Sequence, residues 1–235
     1  SRKTTKRATM TLPYGSTKFS CRDYIEEYVL EKIEAGEPNV FGESMFDATV
    51  WLADHVWDSI GDTAVSARIG MNWLRECSKL VSRKNCPVVW QTPSGFPVFQ
   101  YYPEQKSIRL QTYIDGNLIR PRMNEAVYGK IDKRRAVNGI APNFVHSMDA
   151  SHLMLCVQKC VEDGINDFWM VHDSFGTHAS NAGQLSRNIR STFVQMYTDH
   201  DVLEDFAHEC VKVAGDEIPE PPTKGDFDLQ VVTDS

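Results

Sequence analysis

The chain has 235 residues, 41% of them hydrophobic, and a formal net charge of −7, which is material for one large domain or two small ones. No apolar run reaches the ~18 residues a membrane span needs, and no charged-then-apolar signal segment stands at the front. Six cysteines without a CxxC spacing read as reduced, cytosolic thiols and not as a disulfide framework.

In chain order, residues 1–12 (SRKTTKRATMTL) read as the end of a helix. Pro13 pushes Leu12 out of the helical region, and Gly15 supplies a stop. A second helix fits residues 19–33, with Tyr24, Ile25, Tyr28, Val29 and Ile33 at helical spacing. A long helical pattern then runs from Met45 to Val81, with Gly61 and Gly70 as its candidate breaks. The period changes at PVVWQTPSGFPVFQYY (residues 87–102), a strand, a turn at Pro93-Ser94-Gly95 and a second strand. SIRLQTYIDGNLIRPRM (residues 107–123) alternates across Asp115-Gly116, a favoured hairpin turn. A basic loop is expected through Lys130, Lys133, Arg134 and Arg135, and Pro142 is expected to open a helix to about Val161. DFWMVHDSFGTH (residues 167–178) reads as an apolar strand interrupted by His172-Asp173-Ser174, with helices following at roughly 182–198 and 201–213.

Charge is distributed in blocks. Residues 1–22 hold six cations and no anion, residues 23–63 hold Lys32 against eleven carboxylates, and residues 99–135 hold eight cations against four carboxylates. Two separate basic surfaces facing a polyanion would produce this pattern, and so would plain solvated faces. In the first block, Arg2, Lys6 and Met10 fall at i, i+4 and i+8, flanked by Lys3 and Arg7. Like charges at that spacing cost about 0.2–0.5 kcal/mol per pair. Phosphate is the natural partner, because Arg offers a bidentate fork and Lys a point charge. Tyr14 at the end of the strip can bound a nucleotide pocket or simply pack the helix end.

Asp173 among Met170, Val171 and Phe175 poses a second question. Within a buried strand its charge would cost several kcal/mol without a cation. At an exposed turn it could meet Mg²⁺ beside substrate phosphates, or cap its own backbone. His146, Asp149 and His152 recur every third residue, which suits a polar helix face better than one metal site. Cys156 and Cys160, one turn apart, make two thiols but no zinc set.

Taken together the chain resembles the single-subunit DNA-dependent RNA polymerases of bacteriophages and mitochondria. RKTTKRATMTLPYGS (residues 2–16) is similar to the family's fingers helix, R-x3-K-R-x2-M-T-x2-YG. GIAPNFVHSMDASHL (residues 139–153) and VHDSFGTH (residues 171–178) match two further family stretches, the latter carrying a catalytic palm aspartate. The GFPV stretch (residues 95–98) and the hairpin favour the phage branch.

The resemblance implies an α+β, predominantly helical fold, with right-hand fingers at residues 1–146 and the C-terminal part of the palm at 147–235. A hairpin specificity loop is expected at about 104–136. The implied activity is DNA-templated RNA synthesis from NTPs by two Mg²⁺ ions. Lys6 and Asp173 would be catalytic, with Asp173 the metal ligand, and Arg2, Arg7, Met10, Tyr14 and Gly15 would bind the NTP. His146 and His172 would touch template and primer, and Arg109 and Gln111 would read promoter DNA. Partners would be template, promoter and nascent RNA, without an obligate protein subunit, in the cytoplasm of an infected bacterium. The second metal carboxylate and the promoter-binding N-terminal region are expected outside this sequence, so that the chain is a fragment inactive alone. Two rival readings stand beside it: a His-Asp metal phosphohydrolase using His146, His152 and His172-Asp173, and a DNA-binding module that needs no Asp173.

Overall fold

In a computed structural model, which describes residues 2–233, the basic opening segment folds as helix α1 (Arg2–Thr11). Ala8 is its buried residue and Leu12, just past its end, is buried too, while Arg2, Lys3, Lys6, Arg7 and Met10 face solvent. The helix closes as expected. Tyr14 N–H donates to the Thr11 carbonyl at 3.1 Å, Gly15 N–H to that of Leu12 at 2.9 Å, and Gly15 takes φ +84°. Helix α2 (Lys18–Glu34) follows at once, capped by the Thr17 side chain, which accepts from Ser20 N–H.

The long helical pattern divides into α3 (Met45–Thr63) and α4 (Val65–Arg83). The break falls at Ala64 (φ −105°, ψ +47°) and at neither glycine. Gly61 has a packing reason to be there, since the Arg68 guanidinium lies 2.2 Å from where its Cβ would stand, with the Trp57 ring 5.8 Å away. Ala8, Leu12, Cys21, Ile25, Ala53, Val56 and Ile60 form one apolar core under α1, α2 and α3. By compactness, the described chain divides into residues 2–74 with 141–145, and 75–140 with 146–233.

The second of these units holds all the strands. β1 (Val88–Gln91) pairs with β2 (Pro97–Gln100), and Trp90 packs edge-on against Phe206 at 5.8 Å. β3 (Pro103–Arg109) pairs with β6 (Arg122–Ile131), and β4 (Thr112–Ile114) with β5 (Asn117–Ile119). These four form one long two-stranded ribbon, because the register runs unslipped from Gln105 opposite Ala126 to Ile114 opposite Asn117. The tip is the expected Asp115-Gly116 turn, with φ +50° and +77°, the two positive values that a tight hairpin turn needs. At the ribbon's base the register shifts between Pro103 and Gln105.

Helix α5 (Lys133–Glu162) corrects two expectations. Pro142 lies inside it and does not open it, and Lys133, Arg134 and Arg135 form its first turn, not a loop. The start is set by Asp132, whose side chain accepts from Arg135 N–H at 3.0 Å. Pro142 removes one helical hydrogen bond, and the buried Ile140, Ala141 and Phe144 around it hold the helix together. β7 (Trp169–Val171) and β8 (Ser174–Gly176) make a short hairpin, followed by α6 (Ala182–Asp199), α7 (Val202–Ala214) and the single turn α8 (Gln230–Thr233). Cys156, Cys160, Ile165 and Leu185 form a core here, with Phe168, Met170, Phe175 and Ile189 against it. The result is the α+β, predominantly helical class. No helix among the described residues is long and apolar enough to cross a membrane.

Candidate functional site

On α1 the cations differ in what they meet. Arg7 pairs with Glu27 of α2 and lies 4.4 Å from the centre of the Tyr24 ring. Arg2 and Lys6 make no ion pair among the described residues. Tyr14 stands just past the helix end, 36% exposed. The strip is therefore a solvent-facing cationic surface on a helix anchored by Ala8 and Leu12, with Arg7 already held back by α2.

Asp173 occupies a tight turn. Val171 pairs with Ser174, so His172 and Asp173 are the two turn residues, and His172 takes φ +54°. Left-handed backbone is uncommon outside glycine, with His, Asn and Asp the tolerated types, and such strain concentrates at working sites. Of the two alternatives for Asp173, the exposed turn is the one the structure adopts. The apolar letters around it are split: Met170 and Phe175 pack on the core, whereas Trp169 is 71% exposed.

A cavity of about 370 Å³ opens beside the turn, lined by Asp149, His152, His172, Asp173, Phe175 and Ile189. Asp149 was not among the expected site residues. Burial pushes its carboxyl above the ordinary range, and the Asp173 carboxylate adds to the rise against the opposing pull of His146 and His152. Burial likewise raises the Tyr197 hydroxyl, again with Asp149 contributing. The usable signal in the sequence was its place three residues after His146 and three before His152, one helical face. His152 is spoken for: its Nε2 lies 2.9 Å from the Ile189 carbonyl and 3.2 Å from Thr192 Oγ1, which makes Nε2 the protonated nitrogen. Its ring stands 5.7 Å from Phe175 and 5.5 Å from Phe193.

Among the described residues no three His, Cys, Asp or Glu side chains are grouped to hold a metal ion. Mg²⁺ does not need such a cage, because it is held by one or two carboxylates, water and substrate phosphates. Two hard oxygen donors, Asp173 and Asp149, line one open cavity, a donor type that suits that ion. The Cys156 thiol is pushed up to about 12 by burial, with Cys160 beside it adding to the rise, so Cys156 remains a protonated core thiol.

The ribbon is the third surface. With the register unbroken, period-two alternation puts Ser107, Arg109, Gln111 and Tyr113 on one face with Asn124, Arg122, Arg120 and Leu118. Ile108, Leu110 and Ile114 share the other face with Met123, Pro121 and Ile119. Arg109 and Gln111 thus project from the same face. Arg122, directly opposite Arg109, and Arg120, opposite Gln111, belong with them, although only the outgoing arm of the hairpin was singled out from sequence.

Comparison with known proteins identifies the family. The family model of DNA-dependent RNA polymerase matches residues 1–218. The DNA-directed RNA polymerase of Enterobacteria phage K11 is 37% identical over 253 residues, covering 100% of this chain and 28% of the relative. T7 RNA polymerase of Escherichia phage T7 is 36% identical over the same shares. DNA-directed RNA polymerase 2, chloroplastic/mitochondrial, of Arabidopsis thaliana is 34% identical, covering 100% of this chain and 22% of the relative. The chain therefore spans little more than a quarter of the length of its phage relatives. With a family match across nearly all of its residues, the chain belongs to the DNA-dependent RNA polymerase family.

Proposed function

We propose that this chain is the fingers (residues 1–146) and C-terminal palm (147–235) portion of a polymerase that copies DNA into RNA. The observation that carries the reading is Asp173, a carboxylate exposed at a strained two-residue turn, in a chain that matches this family. Arg2 and Lys6 grip the triphosphate of an incoming NTP, their charge meeting what develops on the phosphates as the RNA 3′ hydroxyl attacks the α-phosphorus. The Lys6 ammonium gives a proton to the departing pyrophosphate, and Arg7 shares the phosphate contacts. Met10 and Tyr14 bound the base pair, with the Tyr14 hydroxyl reading the ribose 2′ hydroxyl. Gly15, without a side chain, lets the template strand come close. His146 and His172 touch the template–primer pair.

Asp173 would hold Mg²⁺ beside the substrate phosphates, and two such ions, when bound, would stabilise the attacking and leaving oxygens. Arg109 and Gln111 read promoter base edges from the ribbon, whose two strands suit a major groove. The enzyme's site of action is the infected bacterial cell in which its phage relatives work.

Asp173→Asn in the polymerase that carries this sequence tests the reading. Synthesis on a primed template should fall by at least about 100-fold, the loss typical of removing one preorganised electrostatic group, while template binding stays unchanged. Undiminished synthesis would leave the DNA-binding module as the better account.

A further inference from the structure

At the base of the ribbon β6 carries extra residues. Pairing runs Gln105 to Ala126 and then resumes at Pro103 to Ile131, so Val127, Tyr128, Gly129 and Lys130 bulge from the ladder. Bulges re-aim side chains and are built features, not defects. This one is pinned: Asn85, itself at φ +59°, donates through Nδ2 to the Gly129 carbonyl and accepts from Ile131 N–H at 3.0 Å. Gly129 takes φ +73°. The residue so presented, Tyr128, is 99% exposed.

Cations follow it. Lys130, Lys133 and Arg134 are all solvent-facing, and the first turn of α5 contains no acidic residue. Positive charge at a helix start works against the helix dipole, so these side chains do not serve α5. A protein interface would cluster several apolar residues, whereas Tyr128 is followed along the chain by three exposed cations. Duplex DNA keeps its base faces stacked inside and must be kinked open to admit a ring, so a protruding ring stacks at least cost on an unpaired base.

We propose that Tyr128, held out by the Asn85 clamp, is a stacking platform for single-stranded nucleic acid, with Lys130, Lys133 and Arg134 gripping its phosphates. The site is separate from the nucleotidyl-transfer reading, since binding needs neither NTP nor Mg²⁺. Single-stranded segments come from nascent RNA or from a displaced DNA strand, and the two share this chemistry.

The test is fluorescence anisotropy of the polymerase that carries this sequence, without NTP or Mg²⁺, with labelled oligouridylate, oligothymidylate and a duplex, each of about 12 nucleotides or base pairs. Tyr128→Ala should weaken single-strand binding roughly 5- to 100-fold and leave duplex binding within about twofold, and Tyr128→Phe should bind like the parent. Replacing Lys130, Lys133 and Arg134 by Ala should lower the slope of log affinity against log salt by about two on single strands. A tighter ribo-oligomer identifies RNA as the occupant, a tighter deoxy-oligomer the DNA strand. Unchanged single-strand affinity in Tyr128→Ala, equal losses on single strand and duplex, or failure of Tyr128→Phe would each overturn the proposal. Because Tyr128 has no packing to lose, a melting curve matching the parent is expected for both variants.

Discussion

Asn85, Asp115 and His172 are the residues other than glycine that take positive φ among those described, and each sits at a turn holding one candidate surface. Asn85 clamps the ribbon base, Asp115 forms its tip, and His172 presents Asp173. All three are types that tolerate left-handed backbone. The Asp115-Gly116 turn could be read from the sequence, because its partner strands alternate visibly on both sides, whereas the turn at Asp173 is one of two alternatives there and the Asn85 turn gives no signal. On α1 the same scale separates cations that look equivalent in the sequence. Arg7 is drawn to Glu27 and Tyr24, while Arg2 and Lys6 are not so engaged. Steady-state kinetics of the full polymerase should therefore show Arg2→Ala and Lys6→Ala raising the KM for NTP about 10-fold or more, the worth of a charge-assisted contact. Arg7→Ala should raise it less, and Glu27→Ala should lower it by freeing Arg7. Equal effects at positions 2 and 7 would show that the α2 contacts do not compete with substrate.

Elements were read well where hydrophobic period and punctuation agreed. α2, α6, α7 and the β1–β2 and β4–β5 hairpins lie within a few residues of expectation. α5 was misread because Pro142 is a strong local stop signal, yet Asp132 caps a turn nine residues earlier and packing around Ile140 and Phe144 outweighs the lost bond. In the β7–β8 hairpin, Gly176 faces Trp169, and a Cβ there would meet the Trp169 carbonyl oxygen at 3.0 Å and its ring at 3.3 Å. Backbone cannot yield as a flexible side chain can. Gly176→Val should push β7 away, shift the Asp173 turn and slow synthesis about 10- to 100-fold, since small misplacements of reacting groups cost that much. Filter binding to template DNA should be unaffected. A variant with normal synthesis would show that the turn tolerates a displaced partner strand.

For the molecule as a whole, net charge hides a division of labour: an acidic stretch over α2 and α3, and basic surfaces on α1 and the ribbon. Lysine partners also tie acid stability to particular carboxylates. A hydrogen bond from Lys159 holds Asp163 below its ordinary value, with Asn188 and Gln184 assisting, and Lys84 does the same for Glu217. Groups lowered on folding stabilise the native state above their unfolded values, about 4, and lose that contribution as pH falls through the lowered folded values. Melting temperature should thus decline as pH drops below about 4, and Asp163→Asn should flatten the decline while lowering the neutral-pH melting point slightly. A parallel decline in the variant would place the acid sensitivity elsewhere.

The order of motifs along the chain, from R-x3-K-R-x2-M-T-x2-YG to HDSFG, was enough by itself to indicate the polymerase family, because each motif carries several chemically constrained letters at fixed spacing. Helical and strand periods likewise conveyed most elements, since burial of one face is a local pattern. Tertiary structure alone decided which side chains are already engaged and which stand open. The pairing of Arg7 with Glu27, the approach of Asp149 to Asp173, the alignment of Arg122 with Arg109 and the Asn85 clamp under Tyr128 all join residues distant in sequence. Their meeting depends on how helices and strands pack, and no local period encodes it.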